Sequence, residues 1–184
     1  FTYVAREAIQ TFGAKGEDAI VEAVHLYGLQ RGRRMAMRAQ RDGIPQNGLS
    51  YELYSEWACF PGQVEREDSC ENGTFCMRYK RCPWFTDWQS AGLQEYGKYY
   101  CGHVDAALLE GFSAGGGELV SSRMFGAGTC DLVFQDACCT QETYETLMAW
   151  KFLLGDQAIM PWEYHVGHLY QALYRSMERS FGLS

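Results

Sequence analysis

The residues best suited to chemistry stand in two short runs, Cys101-Gly102-His103-Val104-Asp105 and Trp162-Glu163-Tyr164-His165-Val166-Gly167-His168. If the first run opens a helix, Cys101 and Asp105 lie one turn apart on a shared face and His103 points to the side. A thiol near a helix N-terminus has its thiolate stabilised, which makes Cys101 a candidate nucleophile on an sp² carbon, with Asp105 orienting a base or a substrate nitrogen. The competing structural reading is a buried thiol and a surface carboxylate. Cys82, just before Pro83, sits where a strand gives way to a helix, and it could be nucleophile, metal ligand or partner thiol. His165 and His168 are helical neighbours, so they could serve as a general base with its orienting partner, or as a metal pair.

Glu163 does not share a face with His165, so the compact zinc-protease pattern is absent. No Cys-x-x-Cys pair occurs, and no cofactor is expected. Convergence of Cys82, Cys101, His165 and His168 on zinc is the minority arrangement. Arg31 and Arg34 could receive a substrate carboxylate bidentately, although an arginine-rich helix face is more often solvated or paired with acids. Trp84, Tyr99, Tyr100 and Trp162 would form water-excluding walls, with His103, Glu163 and Arg31 as polar contacts to the substrate.

Several elements must position these groups. Helical periodicity covers 2–11 and 17–40, broken over 12–16, and a Gly-, Pro- and Asn-containing loop follows at 42–50. Strands at 63–68 and 74–81 flank the turn signal Asn72-Gly73. Helices are expected at 85–93 and 99–112, followed by a turn at Gly115-Gly116-Gly117. A second strand pair, 118–124 and 130–134, is joined through Gly126-Ala127-Gly128. Helices at 142–154 and 163–181 complete the chain, with Pro161 near the start of the last. The expected fold is α+β, an antiparallel sheet of two strand pairs covered by helices, in a single domain spanning 1–184.

Composition sets the outer limits. With 184 residues, 47% of them apolar, one core can be filled, and a formal charge of −7 argues against a polyanionic partner. No apolar run approaches the roughly 20 residues of a membrane-spanning helix, and no signal peptide is evident. The expected partner is a small-molecule substrate, not nucleic acid or membrane, and self-association is left open. Eight cysteines could make four disulfides, but ten Phe, twelve Tyr and five Trp supply a core that needs none. Reduced thiols in a cytoplasmic protein are therefore expected.

Five pieces in order carry a resemblance: Gly16-Glu17-Asp18-Ala19-Ile20, Tyr27-Gly28-Leu29-Gln30-Arg31-Gly32, Arg81-Cys82-Pro83-Trp84, the run from Glu95 through Gly97 to Cys101, and the run from Pro161 through His165 and His168 to Tyr170. Together they resemble the L-2-amino-thiazoline-4-carboxylic acid hydrolase family across nearly the whole chain. The resemblance implies a hydrolase that opens a small cyclic amide or amidine ring, with Cys101 at the family's recurring cysteine and the Cys82-Pro83 step also matching. A more distant likeness, over 111–134, is to vinyl-4-reductase-type domains, which implies an α+β fold and the rival function of a non-catalytic sensor for a small ligand, haem or metal. The expected reaction is C–N bond hydrolysis by a cysteine nucleophile with histidine acid/base chemistry.

Overall fold

The computed structural model describes residues 1–113 and 116–182, and of Asp136 the backbone alone. Helix α1 (Thr2–Phe12) and the 28-residue α2 (Ala14–Arg41) are separated only by Gly13, so the expected break shrinks to one left-handed residue. The segment expected to be loop instead contains α3 (Gly48–Leu53). Asn47 accepts from the Ser50 amide at 3.0 Å while the Ser50 hydroxyl accepts from the Asn47 amide at 2.9 Å, a reciprocal cap that starts a helix inside the expected loop.

The first hairpin follows expectation: β1 (Glu65–Glu71) and β2 (Gly73–Arg81) pair antiparallel with Glu71 opposite Thr74. Asn72 and Gly73 both take positive φ, 51° and 81°, as a two-residue turn matched to strand twist requires. Then come α4 (Pro83–Ser90), α5 (Gln94–Cys101), α6 (Val104–Phe112), β3 (Gly117–Ser121), β4 (Cys130–Cys139), α7 (Gln141–Leu154) and α8 (Trp162–Phe181). The expected glycine turn before β3 lies partly outside the described residues.

The four strands form one antiparallel sheet in the order β1-β2-β4-β3. Alternation sends Phe75 and Met77 of β2 and Leu132 and Phe134 of β4 inward, where Tyr51 packs on Phe134 and Phe112 with ring centroids 5.1 and 5.6 Å away. The opposite face carries the ion pairs Arg78–Asp131 and Lys80–Glu67. The fold is thus α+β, as expected, with helices on one face of the sheet. Helix α2 runs through the helical layer and packs on both α6 and α8. No helix is long and apolar enough to cross a membrane among the described residues.

Two sequence expectations need correction. Cys70 and Cys139 are joined by a disulfide, with Cα atoms 5.3 Å apart, so the cysteines are not all reduced and the redox argument for a cytoplasmic setting loses its premise. The other six are free. The helix expected at 99–112 is in fact two, because the amides of Gly102 and His103 close back on Lys98 and Tyr100 and His103 begins α6. Cys101 is therefore the last residue of α5, at the negative end of the helix dipole, and not at a helix start.

Candidate active site

One face of α2 sets the charge of the site. Arg31, Arg34 and Arg38 recur at helical spacing and converge on Glu56, a carboxylate with no solvent exposure. Arg34 grips it with two bonds of 2.6 and 2.7 Å, and Arg38 adds one of 2.7 Å. Arg31 contributes only its Nε, at 3.3 Å, although the residue is 2% exposed. Its guanidinium lies over the rings of Trp57 and Tyr27, 4.6 and 5.3 Å from their centroids. A buried carboxylate would ordinarily be pushed towards its neutral form. Here burial is outweighed by Arg34, Arg31 and Arg38, which hold Glu56 below its usual range.

The thiol and acid groups come from four elements. Cys82 caps α4 where β2 ends, Cys101 ends α5, Asp105 stands in the first turn of α6, and Cys130 starts β4 directly opposite Tyr79. Their fields overlap. Burial raises the Cys101 thiol well above its ordinary value, and Asp105, Cys82 and Cys130 raise it further. Burial pushes Cys130 up to about 12, with Asp105 and Cys82 adding to it. Asp105 is itself lifted by burial to about 6, against an opposing pull from Arg31, and no hydrogen bond to its carboxylate is found among the described residues.

Cys82 differs from the other thiols. Burial raises it too, but the backbone N–H groups of Phe85 and Trp84 at the start of α4 pull the other way, without a cap hydrogen bond of normal length. The helix-terminus stabilisation expected for Cys101 thus belongs to Cys82.

The histidines occupy a neighbouring layer. His165 is buried, stacked on Trp57 at 4.2 Å, with Nε2 3.3 Å from the Glu56 carbonyl and Nδ1 3.5 Å from the Tyr27 hydroxyl. A carbonyl can only accept, so Nε2 carries the proton and Nδ1 receives Tyr27. His168 Nε2 donates to Gln30 Oε1 at 2.6 Å, leaving Nδ1 buried without a partner. Burial and the neighbouring arginines lower both imidazoles to about 4. No hydrogen bond joins either histidine to Cys101 or Cys82 among the described residues. The link is indirect: Tyr27 packs on Tyr100 at 6.3 Å, beside Cys101, and Arg31 acts on both layers.

Of the aromatic residues expected to wall the site, Trp84 lies 5.4 Å from Tyr100 and 5.2 Å from Trp162 between ring centroids. Tyr99 lies apart, donating to Glu17 at 3.2 Å. Glu163 is exposed on α8, and His103 serves as the backbone start of α6 without a side-chain cap bond. Among the described residues no three His, Cys, Asp or Glu side chains are grouped to hold a metal ion. A depression of about 650 Å³ on the other flank of α6, lined by Ala106, Leu119, Val120 and Phe125, contains none of the candidate groups. Glu56, Trp57 and Cys130 were not singled out from the sequence. The arginine series at 31, 34 and 38 was the one available signal, since a buried face of that kind demands an acid.

The sequence profile of the L-2-amino-thiazoline-4-carboxylic acid hydrolase family matches residues 1–134. The chain belongs to this family. Arg31, Glu56, Cys82, Cys101, Asp105 and Cys130 all fall inside the family's matched segment, whereas α8, with both histidines and the Pro161–Tyr170 likeness, lies beyond it. The family is named for a hydrolase of a small cyclic amidine that carries a carboxylate. Neither a curated protein nor a solved structure matches the chain at a significant level.

Proposed function

We propose that this protein hydrolyses a small cyclic amidine of the thiazoline-carboxylate kind, with Cys82 as nucleophile and Asp105 as the proton-transfer group. The observation that carries this reading is the Asp105 carboxyl, unpartnered, lifted to about 6, and within electrostatic reach of Cys82 and Cys101. A group titrating there can take a proton and return it near neutral pH. Asp105 removes the thiol proton as sulfur adds to the amidine carbon, then protonates the ring nitrogen as the C–N bond breaks. Water, deprotonated by Asp105, attacks the same carbon, and the thiol leaves with its proton restored. The net change is addition of one water.

This reading moves acid/base work from the histidines to Asp105. Imidazoles lowered to about 4 are neutral at pH 7 and poor proton donors there, so His165 serves as a wall and an anchor for Tyr27. Trp84, Tyr100 and Trp162 keep bulk water from the intermediate.

The test is mass-spectrometric detection of a one-water gain on L-2-amino-thiazoline-4-carboxylate, for the wild type, Cys82→Ala and Cys101→Ala. The expected result is loss of turnover in Cys82→Ala and retained turnover in a less stable Cys101→Ala protein. The reverse pattern would transfer the nucleophile's role to Cys101.

A further inference from the structure

We propose that Arg31 is the specificity-determining residue of this site, selecting rings that bear a carboxylate, and that Glu56 is the positioning residue that reserves Arg31 for the ligand. The ring-opening reading supplies the ring, while the choice of residue stands on hydrogen-bond geometry. Three guanidinium groups share one carboxylate, an excess of positive charge at a site sealed from solvent on the Arg31 side.

Glu56 divides its two oxygens unequally. Arg34 takes one bond to each, at 2.6 and 2.7 Å, and Arg38 takes another at 2.7 Å, so Arg34 and Arg38 are committed. Arg34 also reaches the Tyr164 hydroxyl at 3.2 Å, and Arg38 reaches the Ala158 carbonyl at 3.4 Å. Arg31 touches Glu56 only through Nε, and neither of its terminal amino groups has a hydrogen-bond partner among the described residues.

A guanidinium has five N–H donors in a rigid fork that matches a carboxylate. Glu56 fixes the Nε side, and the faces of Trp57 and Tyr27 fix the plane. What remains is the two-pronged outer edge, whose geometric complement is a carboxylate. Asp105 lies within electrostatic reach of this edge, so a ligand whose carboxylate meets Arg31 can turn a cationic amidine towards Asp105.

The test is calorimetric titration of the whole chain with two probes. Thiazolidine-4-carboxylate has the ring and carboxylate without the amidine, and 2-amino-thiazoline has the amidine without the carboxylate. Wild type is expected to prefer the carboxylate probe. Arg31→Met should weaken that probe by about tenfold or more and leave 2-amino-thiazoline unchanged, and Arg31→Lys, which keeps the charge but loses the fork, should fall between. Glu56→Gln should weaken the carboxylate probe alone, a selective change that a merely destabilised fold would not produce. If Arg31→Met does not fold, the Arg31→Lys series decides.

Equal affinity of wild type and Arg31→Lys for the carboxylate probe, or no carboxylate preference in wild type, overturns the proposal. Arg31-dependent preference without turnover of any ring would instead leave Arg31's role standing and remove the hydrolase reading.

Discussion

Asp105 is the residue on which the chemistry turns, and its raised pKa makes two measurable statements. If it acts as base, kcat should climb as pH rises through about 6 and then level off, because only the ionised form accepts a proton. The stability effect has the opposite sense. The folded state holds this proton more tightly than the unfolded chain, so between about pH 4 and 6 stability falls as pH rises. Asp105→Asn should therefore be more stable than wild type at pH 8, on the order of 2 kcal/mol, and no more stable at pH 4, while losing turnover. Denaturant melts at the two pH values decide it, and equal stability of the two proteins at pH 8 would remove the case for a strained carboxylate. At this scale the sequence was legible in kind but not in role. Cys82, Cys101, Asp105 and Arg31 were all visible as candidates. Their division of labour depends on burial and on which helix end each thiol meets, and Gly102 alone gave little sign that Cys101 closes one helix instead of opening another.

The elements explain why the site is where it is. An added Cβ on Gly32 of α2 would lie 2.1 Å from the Leu108 carbonyl oxygen of α6, and one on Gly28 would lie 2.7 Å from the Ala107 Cβ. The backbones of α2 and α6 touch there, which brings Arg31 of one helix within reach of Asp105 of the other. Gly32→Ala should then cost about 2 kcal/mol or more despite the better helix propensity of alanine, since rigid backbone has to move apart. Gly167→Ala, mid-helix in α8 with nothing within 4 Å of an added Cβ, should instead gain up to about 1 kcal/mol. Urea midpoints of the two variants with opposite signs are the expected outcome, and a neutral Gly32→Ala would contradict the close crossing. The sequence pattern found α2, α7, α8, the first three strands and the start of β4 to within a few residues. It missed α3, whose start rests on reciprocal capping by Asn47 and Ser50, and it placed β4's end too early, because pairing with β2 carries that strand on to Cys139.

For the whole molecule, the disulfide is the feature least visible in the sequence. The aromatic core argued that no cross-link was needed, yet need and proximity are different questions: β1 and β4 lie on either side of β2, and past the register shift between Gly73 and Phe75 the chain brings Cys139 to a Cα distance of 5.3 Å from Cys70. In β2, Gly73 pairs with Cys139 at one end and Tyr79 pairs with Cys130 at the other, with Cys82 just beyond. The disulfide thus sits roughly 20–25 Å along the strand from the candidate thiols, at about 3.3 Å per residue. Two consequences separate. The bond closes a sequence separation of 69 residues, and the loop-entropy relation gives such a closure about 4 kcal/mol of stabilisation. The site, at the far end of the sheet, does not depend on it. Denatured, unreduced protein should titrate six thiols, and Cys70→Ser should lower the urea midpoint by an amount that reductant reproduces in wild type. Turnover per folded molecule should be unchanged in both. Eight titratable thiols in the unreduced protein would restore the expectation of fully reduced cysteines, and a Cys70→Ser protein that stays folded but loses turnover would mean that the two ends of the sheet are coupled.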